Sequence, residues 1–274
     1  MNPETFETFK AFIETNLGIK IPLSKKLMLE SRLAKRLRAL SMSTYEEYCE
    51  YVFGPEGFSG EIQQLIDVVT TNETEFFREY PHFECLEKTV LPNLVIEKNL
   101  PELNVWSVAA ASGQEAYSLA MMMEEFGRNR KKFNYRILAT DISQKVLKIA
   151  ETGIYTQHQA VKIPERYQRL YCLRSRDSEK KTIRIKPEIR DKVLFRQLNL
   201  MDGEYQINKR YHIIFCRNIF IYFDRQTQQN VLGRLFTKLA PGGYLFMGHS
   251  ENIGSSQLDL ESIASAVYRK KEQE

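Results

Sequence analysis

Cysteine is scarce in this sequence, and its distribution excludes two classes of stabilised fold. The four cysteines lie far apart and form no CxxC pair: Cys49, Cys85, Cys172 and Cys216. A structural zinc site needs closely spaced ligands, and a disulfide framework needs more cysteine in a shorter chain. We therefore expect neither, and the composition fits a protein of the reducing cytoplasm.

Long hydrophobic runs and several catalytic motifs are also missing. The longest apolar stretch, near residues 212–223, is interrupted by Arg217, whereas a membrane helix needs about 20 apolar residues. The first residues carry acids and no apolar core segment, so we expect neither a signal peptide nor membrane insertion. There is no GxSxG elbow and no Walker loop. The histidines follow no metal-ligand spacing, so no metal site is expected: His82, His158, His212 and His249.

Positive charge is in small excess over the whole chain but is concentrated in one segment. The net charge of +4 does not by itself favour nucleic acid as a partner, and no patch interleaves basic with aromatic residues. Residues 21–40 hold a single acid, Glu30, and six basic residues: Lys25, Lys26, Arg32, Lys35, Arg36 and Arg38. Such a run is either a solvated helix face or a docking surface for an acidic partner.

The first 71 residues are predicted to form a small all-α domain. Apolar residues recur there at helical spacing, and no alternating run appears. The stripes are Phe6, Phe9 and Ile13, and then Leu29, Leu33, Leu37 and Leu40. The first helix should end near Gly18. A third should begin with a capping box in which Ser43 caps the helix and Glu46 reciprocates.

From residue 100 onward, strand-like segments alternate with amphipathic helices, which predicts a doubly wound, Rossmann-like α/β domain over residues 100–274. Residues 72–99 would form a linker and lead-in helix. Strands are predicted at 104–108, 135–140, 193–198, 211–216 and 244–247, and helices at 114–126, 143–152 and 225–239. The short runs YCL and TIRI break this alternation and predict a small antiparallel β insert at about residues 167–192.

The segments 105–121 and 137–143 together indicate a crevice for a nucleotide-like ligand. The turn after the first strand consists of small residues and ends at Gly113, so a ligand can approach the backbone closely. Asp141, at the end of the next strand, can accept hydrogen bonds from ribose hydroxyls. Glu115 opposes a pyrophosphate and suits a cationic ligand, which favours S-adenosylmethionine over NAD. The alternative is an ordinary α/β crossover with nothing bound.

Three further polar clusters are candidates for the same site. TTNETEFFRE (residues 70–79) is either a plain linker or one wall of a ligand cleft, and its Arg78 can hold a carboxylate in two-pronged geometry. FCRNIFIYFD (residues 215–224) follows a strand that should be central. Arg217, Asn218 and Tyr222 would then face the crevice. The pair NL at residues 199–200 follows another strand, where an adenine ring can be held.

Taken in order, these blocks resemble the chemotaxis receptor methyltransferases of the CheR type, which esterify glutamate side chains on bacterial chemoreceptors. The resemblance covers nearly the whole chain. It rests on the helical first domain with its basic helix, TTNETEFFRE, WSVAAASGQEAYSLAM, ATDIS, the NL pair, FCRNIFIYFD and LAPGGYLFMGHSEN (residues 239–252). It implies a class I methyltransferase domain, with S-adenosyl-L-methionine as donor and S-adenosyl-L-homocysteine as product.

The resemblance also implies which residues form the site. The cofactor would be lined by Asn72, Thr74, Arg78, Glu115, Asp141, Asn199, Leu200, Arg217 and Asn218. Arg78 and Tyr222 would flank the reacting centre as catalytic residues. Gln114 and Ala116 stand where family members often have Glu and Pro, but Glu115 remains.

The partners implied by the resemblance are the cytoplasmic domains of methyl-accepting chemoreceptors. The basic run at residues 25–38 would dock there, and the β insert could hold a peptide from the receptor's C-terminus. Its loop, RSRDSEKK, has no glycine to shape a tight turn, so peptide binding is left open. We expect a monomer with no nucleic-acid partner. A protein that binds S-adenosylmethionine but only signals or scaffolds, and a methyltransferase with another substrate, are the alternatives.

Overall fold

Helices alone make up the first part of the chain. The computed structural model describes residues 1–130, 132–177, 179–251 and 258–272. Asn252, which ends the block LAPGGYLFMGHSEN, and Ser178 of the predicted insert lie outside them. The N-terminal helices are α1 (Pro3–Leu17), α2 (Lys26–Leu40), α3 (Tyr45–Phe53), α4 (Pro55–Phe58) and α5 (Glu61–Val69). Their buried stripes form one core, which includes Phe9, Leu33 and Tyr48.

The ends of these helices follow local rules, with one correction to the sequence prediction. Gly18 ends α1 in the left-handed region, with φ of +70°, as expected for a glycine at this position. The capping box predicted at Ser43 and Glu46 is wrong by one residue. Thr44 is the cap, because its hydroxyl accepts the backbone N–H of Glu47 at 3.1 Å. Both residue types are good caps, and the extended backbone at Thr44 decides between them.

A helical lead-in joins this part to the sheet. It begins with α6 (Tyr80–Cys85) and continues as two π-helical turns, Leu86–Val90 and Pro92–Glu97. The strands are β1 (Glu102–Val108), β2 (Asn134–Asp141), β3 (Ile154–Thr156), β4 (Cys172–Arg174), β5 (Thr182–Ile185), β6 (Val193–Gln197), β7 (Tyr211–Cys216), β8 (Leu239–Met247), β9 (Leu260–Ala264) and β10 (Val267–Lys270). The remaining α-helices are α7 (Gln114–Gly127), α8 (Gln144–Thr152), α9 (Gln157–Ala160), α10 (Glu165–Tyr171), α11 (Pro187–Arg190) and α12 (Arg225–Lys238).

Seven strands form the main sheet, in the order β6-β2-β1-β7-β8-β10-β9. The first five are parallel, and β10 pairs antiparallel with both β8 and β9. All five predicted strands are present, so the doubly wound fold class is confirmed. The chain extends the sheet from β1 through β2 to β6 and then returns to β7 on the other side of β1. This reversal opens a crevice at the carboxyl ends of β1 and β7.

Two features of the sheet were not predicted. Strand β8 begins at Leu239 rather than at residue 244, because Pro241 and the two glycines after it lie within an irregular stretch of the strand. The antiparallel pair β9 and β10 has no counterpart in the sequence analysis. Strand β9 is largely exposed, so it lacks the apolar alternation by which a buried strand is recognised.

A second, three-stranded antiparallel sheet has the order β3-β5-β4. It confirms the prediction of a small antiparallel insert, but its first strand, Ile154–Thr156, precedes the predicted segment 167–192. Tyr167, at the predicted start, lies in α10 instead. None of the helices among the described residues is long and apolar enough to cross a membrane.

Candidate functional site

One cavity lies where the sheet crevice, the segment after α5 and the N-terminal helices meet. All ten predicted site residues line it: Asn72, Thr74, Arg78, Glu115, Asp141, Asn199, Leu200, Arg217, Asn218 and Tyr222. Helix α2 and the segment before it also contribute Lys25, Met28 and Arg32. The structure therefore brings together candidates that come from five separate segments of the chain.

The turn between β1 and α7 carries unusual backbone geometry. Ala109 and Ala111 have φ of +53° and +47°, and Gly113 has φ of +90°. Non-glycine residues rarely adopt such angles unless the surrounding structure enforces them. At Gly113 a Cβ atom would lie 2.8 Å from the Cβ of Ala150, so a side chain does not fit there. A side chain at Gly113 would therefore disturb the turn, of which Ala109 and Ala111 line the cavity.

Asp141 fixes this turn from the end of β2. One carboxylate oxygen accepts the N–H of Ala111 at 2.9 Å, and the other accepts the N–H of Ser143 at 2.9 Å. Burial raises the pKa of Asp141, and these hydrogen bonds oppose that rise. Each carboxylate oxygen can accept a further hydrogen bond. Asp141 thus combines a structural role with the capacity, expected from the sequence, to accept hydrogen bonds from a ligand.

Glu115 and Arg217 form a buried ion pair beside this turn. Arg217 Nε donates to Glu115 Oε2 at 2.8 Å, and Ser107 Oγ donates to Glu115 Oε1 at 2.6 Å. The side chain of Arg217 is only 1% exposed. The sequence analysis assigned both residues to the site but did not anticipate that they pair. The carboxylate retains acceptor positions for a ligand ammonium group, which would share it with Arg217.

The other end of Arg217 contacts two residues, His82 and Glu79, to which the sequence pattern gave no role, and Glu79 contacts a third, His249. Nη1 lies 3.2 Å from His82 Nδ1 and 3.5 Å from Glu79 Oε2, and Glu79 is in turn 3.7 Å from His249 Nδ1. Burial and the nearby Arg217 lower the pKa of His82 to about 4. Glu79 is the last residue of the block TTNETEFFRE, and His82 follows it by three residues. Their closeness to this block was the sequence feature that could have indicated them.

His82 and His249 are far apart in sequence, yet the fold places the centroids of their rings 4.4 Å apart. With Glu79 they offer ligand atoms that lie within 4.8 Å of one another, which is close enough for a metal ion. The positively charged Arg217 is already bound at this cluster and disfavours a second cation there. The cluster is therefore better described as a hydrogen-bond network around a guanidinium group.

Glu251 holds the loop after β7 in place. Its carboxylate accepts backbone N–H groups of Asn218, Phe220 and Gly248 at 2.7–2.9 Å. Asn218 has φ of +59°, and its side-chain amide donates to Glu79 at 3.1 Å. A buried acid that accepts three amides can hold a strained loop. Glu251 lies in the block LAPGGYLFMGHSEN, but the sequence indicated no role for it.

Arg78 and Tyr222 both line the cavity but come from different segments. Arg78 lies between Phe77 and Glu79, whose φ values are +52° and +55°. Its Nη1 donates to the backbone oxygen of Glu73 at 3.2 Å. Tyr222 ends a short 3-10 turn after β7, and its backbone oxygen accepts the N–H of Lys20 at 3.0 Å. The first part of the chain therefore helps to position Tyr222.

Among the remaining candidates, Asn199 connects the sheet to the N-terminal helices, Asn72 bonds within the segment after α5, and Leu200 is held by α12. Asn199 Nδ2 donates to the backbone oxygen of Asn16 at 2.8 Å. Asn72 Nδ2 donates to Thr70 Oγ1 at 3.2 Å. The backbone oxygen of Leu200 accepts from Arg234 at 2.7 Å, which fixes the end of the β6 loop. These contacts make the cavity a joint product of both parts of the chain.

The predicted basic surface on α2 is divided by the fold. Arg32 bonds to the backbone oxygen of Val69 and, at 2.7 Å, to Thr71 Oγ1. Arg36 pairs with the buried acid Glu61 at 2.7 Å. Lys25, Lys35 and Arg38 are exposed, whereas Lys26 is half-buried. Two of the six basic residues therefore stabilise the fold, and the exposed ones remain available to a partner.

The residues of the cavity fit S-adenosylmethionine. The small residues Ala109 and Ala111 and the acid Asp141 at the end of β2 line the cavity, as expected of a site for an adenosyl group. Glu115 adds a negative charge for a cationic ligand, and Arg217 adds a guanidinium group for its carboxylate. These polar groups converge on one concave site, as expected for a small-molecule pocket.

Comparison with known proteins identifies the family of this chain. Residues 72–269 match the family model described as the CheR methyltransferase SAM binding domain, and residues 4–70 match the CheR methyltransferase all-alpha domain. The chain is 37% identical over 264 residues to a chemotaxis protein methyltransferase of Borreliella burgdorferi, covering 94% of this chain and 91% of the relative. It is 36% identical over 265 residues to that of Escherichia coli, covering 96% and 89%. These matches span both parts of the chain, so it belongs to the CheR methyltransferase family, with S-adenosylmethionine as its cofactor.

Proposed function

We propose that this chain transfers a methyl group from S-adenosylmethionine to glutamate side chains of chemoreceptors, forming glutamyl methyl esters. The observation that carries this proposal is the position of the Arg78 side chain and the groups that surround it. Its guanidinium lines the cofactor cavity, and among the described residues no carboxylate pairs with it. An unpaired guanidinium beside the donor site suits a carboxylate substrate.

The proposed roles follow from the positions of the side chains. Arg78 orients the substrate carboxylate and neutralises its charge, and Tyr222 positions it from the loop after β7. Glu115, Asp141 and Arg217 hold the cofactor. S-adenosylmethionine, when bound, supplies an activated methyl group on a sulfonium sulfur.

The reaction needs no general base from the protein. A glutamate side chain has a pKa of about 4.3 and is ionised at neutral pH. Its oxygen forms the new bond to the methyl carbon while the carbon–sulfur bond breaks, and the products are the ester and S-adenosyl-L-homocysteine. What this chain must contribute is alignment of the reacting groups in a site shielded from water.

We infer that the receptor approaches along α2. The exposed cations Lys25, Lys35 and Arg38 lie on this helix or at its start, and Lys25 also lines the cavity. An acidic, glutamate-rich region of a receptor would complement them. The names of the relatives, which are chemotaxis methyltransferases, support a chemoreceptor as the substrate.

Three further proposals accompany this function. The protein acts in the cytoplasm, and it acts as a monomer. The third proposal is that a peptide from the receptor adds a strand to the small sheet. Strands β3 and β4 form the two edges of this sheet, where such a strand can pair. A pull-down with peptides from the receptor C-terminus tests this last point.

The decisive experiment is transfer of labelled methyl from S-adenosylmethionine to membranes that contain chemoreceptors, followed by mild alkali. Label that enters a receptor band and leaves as volatile methanol identifies a carboxyl ester. Cofactor binding without transfer would favour a signalling or scaffold protein. Transfer of label that resists alkali would favour a different acceptor.

A further inference from the structure

His82 is buried directly behind the cofactor site and is only 1% exposed. It lies on α6, outside the cavity lining, and both of its ring nitrogens face polar groups. Nδ1 lies 3.2 Å from Arg217 Nη1 and 3.3 Å from Glu79 Oε2, and Nε2 lies 3.4 Å from the backbone oxygen of Ser265. The role of this buried histidine depends on which of its ring nitrogens donates a hydrogen bond and which accepts one.

The neighbours of the ring determine its tautomer. Nε2 faces an acceptor alone, whereas Nδ1 faces both a donor, Arg217 Nη1, and an acceptor, Glu79 Oε2, so the hydrogen of a neutral ring belongs on Nε2. Nδ1 then carries the lone pair and accepts from Arg217 Nη1. A protonated ring would place a positive charge against Arg217 in a buried setting. Burial lowers the pKa of His82 to about 4, which agrees with a neutral ring at pH 7.

The hydrogen bond to His82 is one of those that hold the guanidinium group of Arg217 in place. Nε donates to Glu115, and Nη1 donates to the backbone oxygen of Arg78 at 2.8 Å as well as to His82. These bonds hold three of the five N–H groups of the guanidinium. Nη2 makes no hydrogen bond to any described residue, and Arg217 lines the cavity, so its two N–H groups are available to a ligand.

We propose that His82 is a positioning residue of the cofactor site: its neutral ring accepts a hydrogen bond from Arg217 and thereby fixes the guanidinium against an anionic group of the cofactor. The inference rests on the proposed role of Arg217 in cofactor binding. It also links α6 and the turn between β9 and β10, through Ser265, to the centre of the site.

Binding of S-adenosyl-L-homocysteine, measured by titration calorimetry, tests this role without any receptor. H82N keeps an acceptor near the position of Nδ1, whereas H82Q places its amide near Nε2 and H82F removes both. We expect H82F and H82Q to weaken binding by about tenfold or more, as expected when a buried charged donor loses its acceptor. H82N should stay within about threefold of the unsubstituted protein.

His212 provides the matched control. It is also a shielded histidine whose Nδ1 accepts a hydrogen bond, from the backbone N–H of Asn104 at 3.0 Å, but it lies at the opposite end of β7. H212F should lower the thermal midpoint and leave the affinity unchanged. If H82F does not fold, the comparison of H82Q with H82N carries the test.

The double variant distinguishes positioning from a general structural effect. In an R217A background, H82F should weaken binding no further, because the residue through which it acts is gone. Three results would overturn the proposal: unchanged affinity in H82F and H82Q, an H82N as weak as H82F, or the full H82F effect in the R217A background. Failure of the proposed function would instead be seen as absent methyl transfer with cofactor binding intact.

Discussion

Arg217 donates a hydrogen bond of 2.8 Å to Glu115, and this buried pair joins the segments that follow β1 and β7. The two residues are 102 positions apart in the chain, but their strands are neighbours in the sheet. The pair sits where the sheet crevice opens, and both side chains line the cavity. Stability of the crevice and binding of the cofactor therefore depend on the same two side chains.

The first prediction concerns this pair. E115Q keeps the size of the side chain but removes the anion at Arg217 Nε and leaves only Glu79, 3.5 Å from Nη1, so we expect the free energy of unfolding to fall by about 2 kcal/mol. Affinity for S-adenosyl-L-homocysteine should fall by about tenfold or more, because the ligand ammonium loses its partner. Urea unfolding and calorimetry measure the two effects. E124Q, in the same helix, is the control and should keep its affinity; an E115Q that binds normally would contradict the assignment.

The second prediction concerns Arg78. R78A should lower turnover by on the order of 100-fold at saturating cofactor, because the substrate carboxylate loses its orienting and neutralising partner. R78K should recover only part of the rate, since an ammonium group cannot bind in two-pronged geometry. Initial rates of label transfer measure this effect. The exposed Arg169 offers the control R169A, and near wild-type transfer by R78A would refute the role.

The third prediction concerns the charges on α2. The double variant K35E/R38E should raise the KM for receptor several-fold and leave cofactor affinity unchanged, because both side chains are exposed. The KM of the unsubstituted protein should also rise with salt, since exposed charge pairs are screened over about 10 Å at 0.1 M. K162E/K209E makes the same change in net charge elsewhere on the surface. An equal effect of the two double variants would argue for long-range attraction rather than docking on α2.

The fourth prediction concerns Gly113. G113A should destabilise the fold by roughly 2 kcal/mol and abolish measurable cofactor binding, because of its φ of +90° and the close Cβ of Ala150. The same substitution at Gly203, where a Cβ would meet no atom within 4 Å, is the control. Thermal unfolding with and without S-adenosyl-L-homocysteine measures both effects. A ligand-induced rise in Tm that persists in G113A would show that the turn tolerates a side chain.

The fifth prediction concerns pH and His82. Its folded pKa of about 4 lies below the ordinary value of 6.5, so between these values the unfolded chain binds a proton that the folded chain does not. Stability therefore falls as the pH decreases through this window, by about 2 kcal/mol between pH 7 and pH 5. In H82N the contribution of His82 to the fall in unfolding free energy between pH 7 and pH 5 should be absent. Urea unfolding of both proteins at the two pH values measures it, and parallel changes would exclude His82 as the source.

The sequence predicted much of this protein because its signals are local. The small-residue turn at Gly113, the acid at Asp141 and the glycine that ends α1 depend on neighbours in the chain. The inner parallel strands β1, β2 and β7 carry mainly apolar segments, as buried strands do, and all five parallel strands were found. Strands β3, β9 and β10 were missed, because they are short and only partly buried and so carry no such signal.

The residues that line the cavity were named from the sequence as members of blocks, but the contacts between them were not predicted. Glu115 and Arg217 were both assigned to the site, yet nothing in the sequence indicated that they pair. His82 and His249 were considered scattered, and only the fold brings their rings to 4.4 Å.

The sequence by itself determined the fold class, the family and the identity of the candidate site residues, because hydrophobic periodicity and short motifs reside in consecutive residues. Tertiary structure alone decided that Arg32 and Arg36 support the fold while Lys35 and Arg38 face outward, and that His82 lies behind Arg217. Hydrogen bonds, burial and pKa shifts of this kind arise between segments far apart in the chain, so no local pattern encodes them.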